Sequence, residues 1–145
     1  MIKHGVVGLL AFGLATAGCA GGAGGKDIDY LLERGSTAYQ EGRLGEAERF
    51  LNQAVERDET ISEAWFLLGN VHFRYGRFPA AVTAYERTLQ YESDHGSAWH
   101  NLALTRVQQA ADTAEAGLEA LSAESPGAER LLDLRRELMF DGVRE

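Results

Sequence analysis

Over most of the chain, apolar side chains recur at the spacing of amphipathic helices. The clearest case is residues 62–95, where Trp65, Leu68 and His72 fall at positions i, i+3 and i+7. Residues at this spacing share one face of a helix. Gly69 adds no bulk on the same face, so a second helix can approach it closely. The pattern predicts that this stretch opens with a helix packed tightly against a neighbour.

A turn and a second helix follow in the pattern. Gly76 stands where the first helix must stop and the chain must reverse, and glycine tolerates the positive φ that such a turn needs. Pro79 falls in the first turn of the next helix, where its missing N–H costs little. Ala81 and Tyr85 are four residues apart on this returning helix. They therefore share a face, with the small residue set against Gly69 and the large one filling the gap beside it.

The same pattern recurs at a shift of 34 residues. Residues 28–61 repeat it in full, and the segment that begins at 96 repeats its first half. Matching positions are Leu31, Trp65 and Trp99; Gly35, Gly69 and Ala103; Gly42, Gly76 and Ala110; Leu51 and Tyr85. One helical hairpin cannot cover its own apolar faces, so such repeats are stable only when several of them stack.

This repeat resembles the tetratricopeptide repeat (TPR), a 34-residue unit with Trp, Leu, Gly, Tyr, Gly, aromatic, Ala, aromatic, Ala and Pro at fixed offsets. The central copy matches at Trp65, Leu68, Gly69, Gly76, Phe78, Ala81 and Tyr85. It departs from the family at His72, Thr88 and Ser93, where Tyr, Ala and Pro are usual. The resemblance implies an all-α fold: a short solenoid of two full repeats, 28–61 and 62–95, with a partial third.

The third copy opens as a repeat but does not close as one. Trp99 and Leu102 match the start of the pattern, whereas Ala110 replaces the turn glycine and a helix-forming sequence continues after it. A single long helix is therefore expected within residues 96–123, in place of a helical hairpin.

A last amphipathic helix is predicted over residues 125–141. Ser125 can cap it and Pro126 can begin it. Leu131, Leu134 and Leu138 have the spacing of one apolar face. The helix is expected to close the open end of the stack; alternatively, it could lie in the groove of the stack, bind a partner or join two copies of the chain.

Residues 1–18 have the features of a secretory signal: Lys3 near the start, then an apolar run too short to span roughly 30 Å of hydrocarbon. Together with Ala17, Gly18 and Cys19 they resemble a bacterial lipoprotein signal. That resemblance implies a diacylglycerol-modified Cys19 as the first residue after cleavage, although Thr16 stands where the family usually has Leu. The alternative is an ordinary signal peptide cleaved nearby, with Cys19 incidental.

The segment that follows is expected to be a tether. Residues 19–27 are rich in glycine and poor in apolar side chains, which is typical of a flexible linker. Ala20 stands directly after the cysteine, and in the lipoprotein family a residue other than Asp at this place implies the outer membrane. The resemblance thus predicts a lipid-anchored protein of the bacterial envelope that faces the periplasm.

Composition and motifs exclude several classes of function. With 14 Lys and Arg against 22 Asp and Glu, the chain has a net charge of -8, which disfavours nucleic acid binding. A single cysteine excludes an internal disulfide and a cysteine-based zinc site. His72 holds a packing position, and neither His95 nor His100 has a metal-ligand partner at motif spacing. No enzyme activity, small-molecule substrate, metal or cofactor is expected, apart from the covalent lipid on Cys19.

A second face of each opening helix is the candidate binding site. In the TPR family this face lines a groove that binds peptides. The residues at these offsets are Leu32, Ser36 and Tyr39; Phe66, Asn70, Phe73 and Arg74; and His100, Leu104 and Val107. Aromatic side chains would supply buried area, and Asn70 could bond a peptide backbone. Only Asn70 matches the family's carboxylate clamp, so recognition of a free C-terminus is not expected. The alternative is that these residues belong to the core.

These observations favour a membrane-anchored scaffold or adaptor that binds a protein or peptide partner. By analogy with repeat lipoproteins, it could assist the assembly of pili or of a secretion system. One alternative is a binding module for a periplasmic enzyme, such as a cell-wall hydrolase or a cytochrome maturation factor. Another is a structural lipoprotein that associates with itself through its C-terminal helix.

Overall fold

The computed structural model describes the backbone of residues 23–141 and the side chains of residues 27–138. This part of the chain forms six α-helices and contains no strand, so the expected all-α solenoid is confirmed. The helices are α1 (Ala23–Gln40), α2 (Leu44–Arg57), α3 (Ser62–Arg74), α4 (Phe78–Tyr91), α5 (Gly96–Ala120) and α6 (Pro126–Asp141). None of the described helices combines the length and apolar character needed to cross a bilayer.

The first two hairpins turn on glycines in the left-handed region, Gly42 at φ 76° and Gly76 at φ 68°. In the first turn, the N–H of Arg43 donates to Ala38 O at 2.8 Å and the N–H of Gly42 donates to Tyr39 O at 3.0 Å. The second turn repeats both bonds 34 residues later. This pair of bonds is the Schellman arrangement, which satisfies the last carbonyls of a helix.

The third copy has no such turn. Ala110 lies inside α5, which continues for 25 residues from Gly96 to Ala120. A residue with a Cβ pays a steric cost at positive φ, whereas it favours the interior of a helix. The chain therefore runs straight where the two earlier copies reverse.

Close helix contacts within each hairpin require glycine. A Cβ on Gly35 would lie 2.8 Å from Leu51 Cδ2, and a Cβ on Gly69 would overlap the ring of Tyr85. Leu51 and Tyr85 are both almost fully buried. The small residue on the first helix thus makes room for the large residue on the second. The core around these contacts consists of Ala38, Ala47, Leu51, Leu68, Val71 and Ala84, with Leu31, Phe50, Ala54 and Ala64 beside it.

Helix α1 begins within the predicted tether. Residues 23–27 are helical, so the tether predicted over 19–27 is too long by five residues. The Asp27 carboxylate lies 2.8 Å from the Arg57 guanidinium of α2, and this ion pair links the start of α1 to its neighbour. Residues 1–22, with the signal segment and Cys19, lie outside the described residues.

Helix α6 is antiparallel to α5 and caps its C-terminal half. Ser125 Oγ accepts a hydrogen bond from the N–H of Ala128 at 3.1 Å, as an N-cap residue does. Leu131 packs on Gly117, and Arg135 lies 2.7 Å from Glu115. Because α6 contacts only α5 among the described helices, it does not lie in a groove formed by the earlier helices.

The predicted apolar face of α6 is wrong at one position. Leu131 and Leu138 are half-buried, whereas Leu134 is 42% exposed. The packed stripe runs through Ala128, Leu131, Arg135 and Leu138. Leu134 is three residues from Leu131 and four from Leu138, which is the spacing of a shared face. Helical periodicity nevertheless places it at the edge of the packed stripe, away from Ala128 and Arg135.

A candidate binding pocket between the first helices of the three copies

A pocket of about 140 Å³ lies among the first helices of the three copies, α1, α3 and α5. Its lining residues are Tyr39, Asn70, Phe73, Arg74, Tyr85, Asn101 and Leu104. An engineered apolar cavity of about 150 Å³ accepts a benzene molecule, whereas pockets for drug-sized ligands measure about 300–1,000 Å³. The pocket therefore has the size to accept one side chain of a larger partner.

Two asparagines and a tyrosine form its floor. Asn70 Oδ1 accepts one hydrogen bond from the hydroxyl of Tyr85 and another from Asn101 Nδ2, each at 2.8 Å. These two bonds use both lone pairs of that oxygen. Within the described residues, Asn70 Nδ2 and Asn101 Oδ1 have no hydrogen-bond partner, and neither atom is shielded from solvent. The floor thus presents one amide donor and one amide acceptor.

The tyrosine is a fixed donor in this network. Burial raises the pKa of Tyr85 to about 12, although the neighbouring Asn101 amide acts in the opposite direction. Its hydroxyl therefore stays protonated at neutral pH and holds the carboxamide of Asn70 in one orientation.

A cation lies at the rim. Arg74 Nη1 donates to the carbonyl oxygen of Tyr39 at 3.2 Å, and the guanidinium lies 5.2 Å from the centre of the Tyr39 ring. No carboxylate within residues 27–138 pairs with Arg74, in contrast to Arg77, which lies 2.9 Å from Glu48. Arg74 is thus held in place while its charge is not neutralised.

The remaining wall is apolar and open to solvent. Phe73 is 36% exposed and Leu104 is 47% exposed. The ring of Phe78, at the start of α4, supports Phe73 from behind with ring centroids 5.5 Å apart. Adjacent exposed apolar side chains of this kind are typical of binding sites.

The structure brings together half of the groove residues expected from the sequence. Tyr39, Asn70, Phe73 and Arg74 line the pocket, and Leu104 joins them. The others lie elsewhere: Leu32 packs against the core, Phe66 stacks on His95 at 4.6 Å between ring centroids, and Ser36, His100 and Val107 do not line the pocket.

Two lining residues were missed. Tyr85 has the spacing of a packing residue, and its ring does pack on Gly69, but its hydroxyl reaches the floor of the pocket. Asn101 follows His100 and replaces Leu67 and Glu33 of the earlier copies. Because no residue type recurs at this position in the three copies, the repeat pattern carries no signal that could have identified it.

Two histidines have structural surroundings. His72 Nδ1 is buried without a hydrogen bond and lies 3.9 Å from Glu48 Oε1. Burial lowers the pKa of His72, although the charge of Glu48 opposes this effect, so the imidazole is neutral at pH 7. His95 Nδ1 accepts from the N–H of Ala98 at 3.1 Å and caps α5. Among the described residues, no group of His, Cys, Asp and Glu is placed to hold a metal ion.

Comparison with known proteins agrees with this architecture. A tetratricopeptide repeat family model matches residues 32–94 and 66–129. The chain is 30% identical over 84 residues to a peroxisomal targeting signal receptor of Candida albicans, covering 58% of the chain and 13% of that protein. It is 32% identical over 112 residues to the cytochrome c-type biogenesis protein CycH of Bradyrhizobium diazoefficiens, covering 72% of the chain and 30% of that protein.

A solved structure shows the same fold. An O-GlcNAc transferase mutant of Thermobaculum terrenum superimposes with a TM-score of 0.58 at 24% identity, over 79% of this chain and 20% of that one. The chain spans less than a third of the length of each of these relatives. With two overlapping matches that together cover residues 32–129, the chain belongs to the tetratricopeptide repeat family.

Proposed function

We propose that this TPR protein is a non-catalytic adaptor that binds an extended segment of a partner protein in the pocket between α1, α3 and α5. TPR proteins are protein–protein interaction modules, and the amide pair on the pocket floor supports a peptide ligand here. Asn70 Nδ2 can donate to a backbone carbonyl while Asn101 Oδ1 accepts from a backbone N–H.

The walls define the preferred sequence of that segment. Phe73 and Leu104 would cover one apolar side chain, which matches the pocket volume of about 140 Å³. Arg74 would pair with a carboxylate a residue or two away, because its guanidinium has no acidic partner within residues 27–138. The ligand expected is therefore an extended peptide in which a large apolar residue stands next to an acidic one.

Binding of labelled peptides tests this proposal. A library of extended peptides that vary the apolar and the acidic position would be titrated by fluorescence anisotropy. Asn70→Ala should weaken the best peptide about tenfold or more, because it removes the donor and leaves Asn101 without its partner. Ser36→Ala, which lies outside the pocket, is the matched control. Equal affinity of Asn70→Ala, Phe73→Ala and the unchanged chain for every peptide would contradict the proposal.

We propose further that the adaptor is anchored in the bacterial envelope through a lipid on Cys19, at the outer membrane facing the periplasm. The signal pattern of residues 1–18 and the small residues before the cysteine support this location. In cells that express the chain, labelled palmitate should be incorporated, and Cys19→Ser should abolish the incorporation. Incorporation that survives the substitution would refute this anchor.

Two cellular roles compete for the adaptor. Assembly of a pilus or secretion system follows from analogy with repeat lipoproteins. Support of a periplasmic enzyme is favoured by the match to a cytochrome c-type biogenesis protein, which covers 72% of the chain. Deletion of the gene distinguishes them: loss of c-type cytochromes on a haem-stained gel supports the second role, whereas loss of assembled pilus or secretin multimers with normal cytochromes supports the first.

A further inference from the structure

His95 closes the N-terminal end of α5. Its Nδ1 accepts a hydrogen bond from the N–H of Ala98 at 3.1 Å, and its carbonyl oxygen accepts from the same N–H at 3.0 Å. A backbone N–H can donate to Nδ1 only when that nitrogen carries a lone pair, so the proton of the ring must be on Nε2. This cap therefore requires the neutral imidazole.

Protonation turns the acceptor into a donor. An imidazolium carries a proton on both ring nitrogens, so Nδ1 of His95 would then face the N–H of Ala98 without a lone pair between them. The new positive charge would also lie at the N-terminal end of α5, where the helix macrodipole is positive. Both effects oppose the cap in its charged form, and histidine is the side chain that changes charge between about pH 5 and pH 8.

The charges around His95 do not hold it in either form by direct contact. Glu48 lies 3.9 Å from His72, whereas no acidic side chain within residues 27–138 forms an ion pair with His95. The titratable side chains on the segments that meet at His95 are Glu63 of α3, Tyr85 and Tyr91 of α4, Glu92 and Asp94 of the loop, and His100 of α5. Glu92 is already engaged, because it accepts a hydrogen bond from Ser62 Oγ at 2.8 Å.

Two short routes join His95 to the floor of the pocket. The first runs along α5, whose second turn carries Asn101, and Asn101 Nδ2 donates to Asn70 Oδ1 at 2.8 Å. The second runs through stacked rings. The ring of His95 lies 4.6 Å from that of Phe66, and the ring of Phe66 lies 6.1 Å from that of Tyr85. The hydroxyl of Tyr85 then donates to Asn70 Oδ1 at 2.8 Å.

We propose that His95 is a pH-sensitive cap that holds the pocket floor together when it is neutral and loosens it when it is protonated, so that acidification releases the bound peptide. This regulation rests on the peptide function proposed above. Because an aromatic face attracts a cation, Phe66 would retain the charged ring. The first turn of α5 must then move away from His95, and Asn101 would lose its register with Asn70.

Amide signals in nuclear magnetic resonance test the cap without any ligand. The isotopically labelled full chain would be titrated from about pH 7.5 to about pH 5.5, the range in which a histidine changes charge. The backbone N–H signal of Ala98 and the side-chain NH₂ signals of Asn70 and Asn101 should shift together along one titration curve. Circular dichroism at the lower pH should show unchanged helix content.

Matched variants assign the shifts to one histidine. In His95→Asn, a side-chain oxygen that does not titrate replaces Nδ1 as the cap, so the signals of Ala98 and Asn101 should stay in place. His72→Gln removes the other histidine with an unbonded ring nitrogen, and His100→Gln removes the exposed one of α5. Both variants should show the shifts of the unchanged chain.

A fluorescently labelled peptide with phenylalanine followed by glutamate measures the consequence for binding. Between the same two pH values its affinity for the unchanged chain should fall about fivefold, and its affinity for His95→Asn should fall less than about twofold. The glutamate of the peptide stays largely ionised over this range, so it does not cause the difference. His95→Ala, which lacks the cap at every pH, should bind at the weaker level throughout.

Three results would overturn the proposal: shifts of the same size in His95→Asn, an Asn101 signal that does not move in the unchanged chain, or equal affinity of the unchanged chain for the peptide at both pH values. A loss of helix content in parallel with the loss of affinity would assign the effect to unfolding and overturn it as well. If the signals shift as expected while no peptide binds at either pH, His95 controls the floor and the peptide function is the part that fails.

Discussion

Replacing Gly69 with alanine should destabilise the fold, although alanine is the better helix former. Gly69 lies inside α3, where the exchange would by itself stabilise an exposed helix by about 1 kcal/mol. The added Cβ, however, would overlap the Tyr85 ring, which is only 1% exposed. Overpacking of this kind costs about 1–3 kcal/mol.

A second cost comes from the pocket floor. The Tyr85 hydroxyl donates to Asn70 Oδ1 at 2.8 Å, and a ring pushed aside loses this bond, worth about 1 kcal/mol. The net effect of Gly69→Ala is therefore a loss of about 1–3 kcal/mol in the free energy of unfolding. Urea denaturation followed by circular dichroism would measure it as a lower midpoint at an unchanged slope.

The control and the refutation rest on the sign of the effect. A Cβ on Gly45, near the start of α2, would meet only the Tyr75 hydroxyl at an ordinary 3.6 Å, so Gly45→Ala should be neutral or slightly stabilising. In a Tyr85→Ala background the ring is gone, and Gly69→Ala should become stabilising. If Gly69→Ala stabilises the chain that retains Tyr85 as well, the close contact with Tyr85 is not the reason for glycine at position 69.

Three further predictions follow from the structure. Gly76→Ala should cost about 1–2 kcal/mol, measured by urea denaturation, because φ is 68° there while nothing lies within 4 Å of the new Cβ; an unchanged midpoint would contradict a cost from backbone strain. Because burial lowers the pKa of His72 in the folded state, the unfolded chain takes up a proton first as the pH falls below 6.5; stability should therefore fall between pH 7 and pH 5, and less steeply in His72→Gln. Leu131→Asp should release α6 from Gly117 and lower the helix content in circular dichroism, whereas Leu134→Asp should leave it unchanged; equal effects would contradict the packed stripe.

Most of the fold could be predicted because its determinants are local. The glycines at 42 and 76 stand where the chain needs positive φ, and the loss of glycine at 110 predicts the long α5. The 34-residue shift then transfers each prediction for residues 62–95 to the equivalent residues of the first copy. The extent of α1 was harder to predict, because the pairing of Asp27 with Arg57 joins residues far apart in sequence.

The pocket could be predicted only in part. Helical offsets identify which side chains share a stripe, and this was sufficient for Tyr39, Asn70 and Phe73. Helical offsets do not tell which stripe a neighbouring element covers. Phe66 does not line the pocket because its ring stacks on His95, which lies just before α5. Tyr85 lines the pocket although its spacing predicts only a packing role. A long aromatic side chain can pack through its ring and donate a hydrogen bond through its hydroxyl.

The continuous α5 has a mechanical consequence. One helix about 37 Å long carries Asn101 and Leu104 of the pocket, the exposed Trp99 and Gly117 beneath α6. A hairpin at residue 110 would have divided these positions between two elements that could tilt independently. Because α5 is continuous, these positions belong to one rigid helix, and any rotation of α5 against α4 moves all of them together. The loss of one glycine thus ends the repeat and also joins the pocket to the α6 contact through one continuous helix.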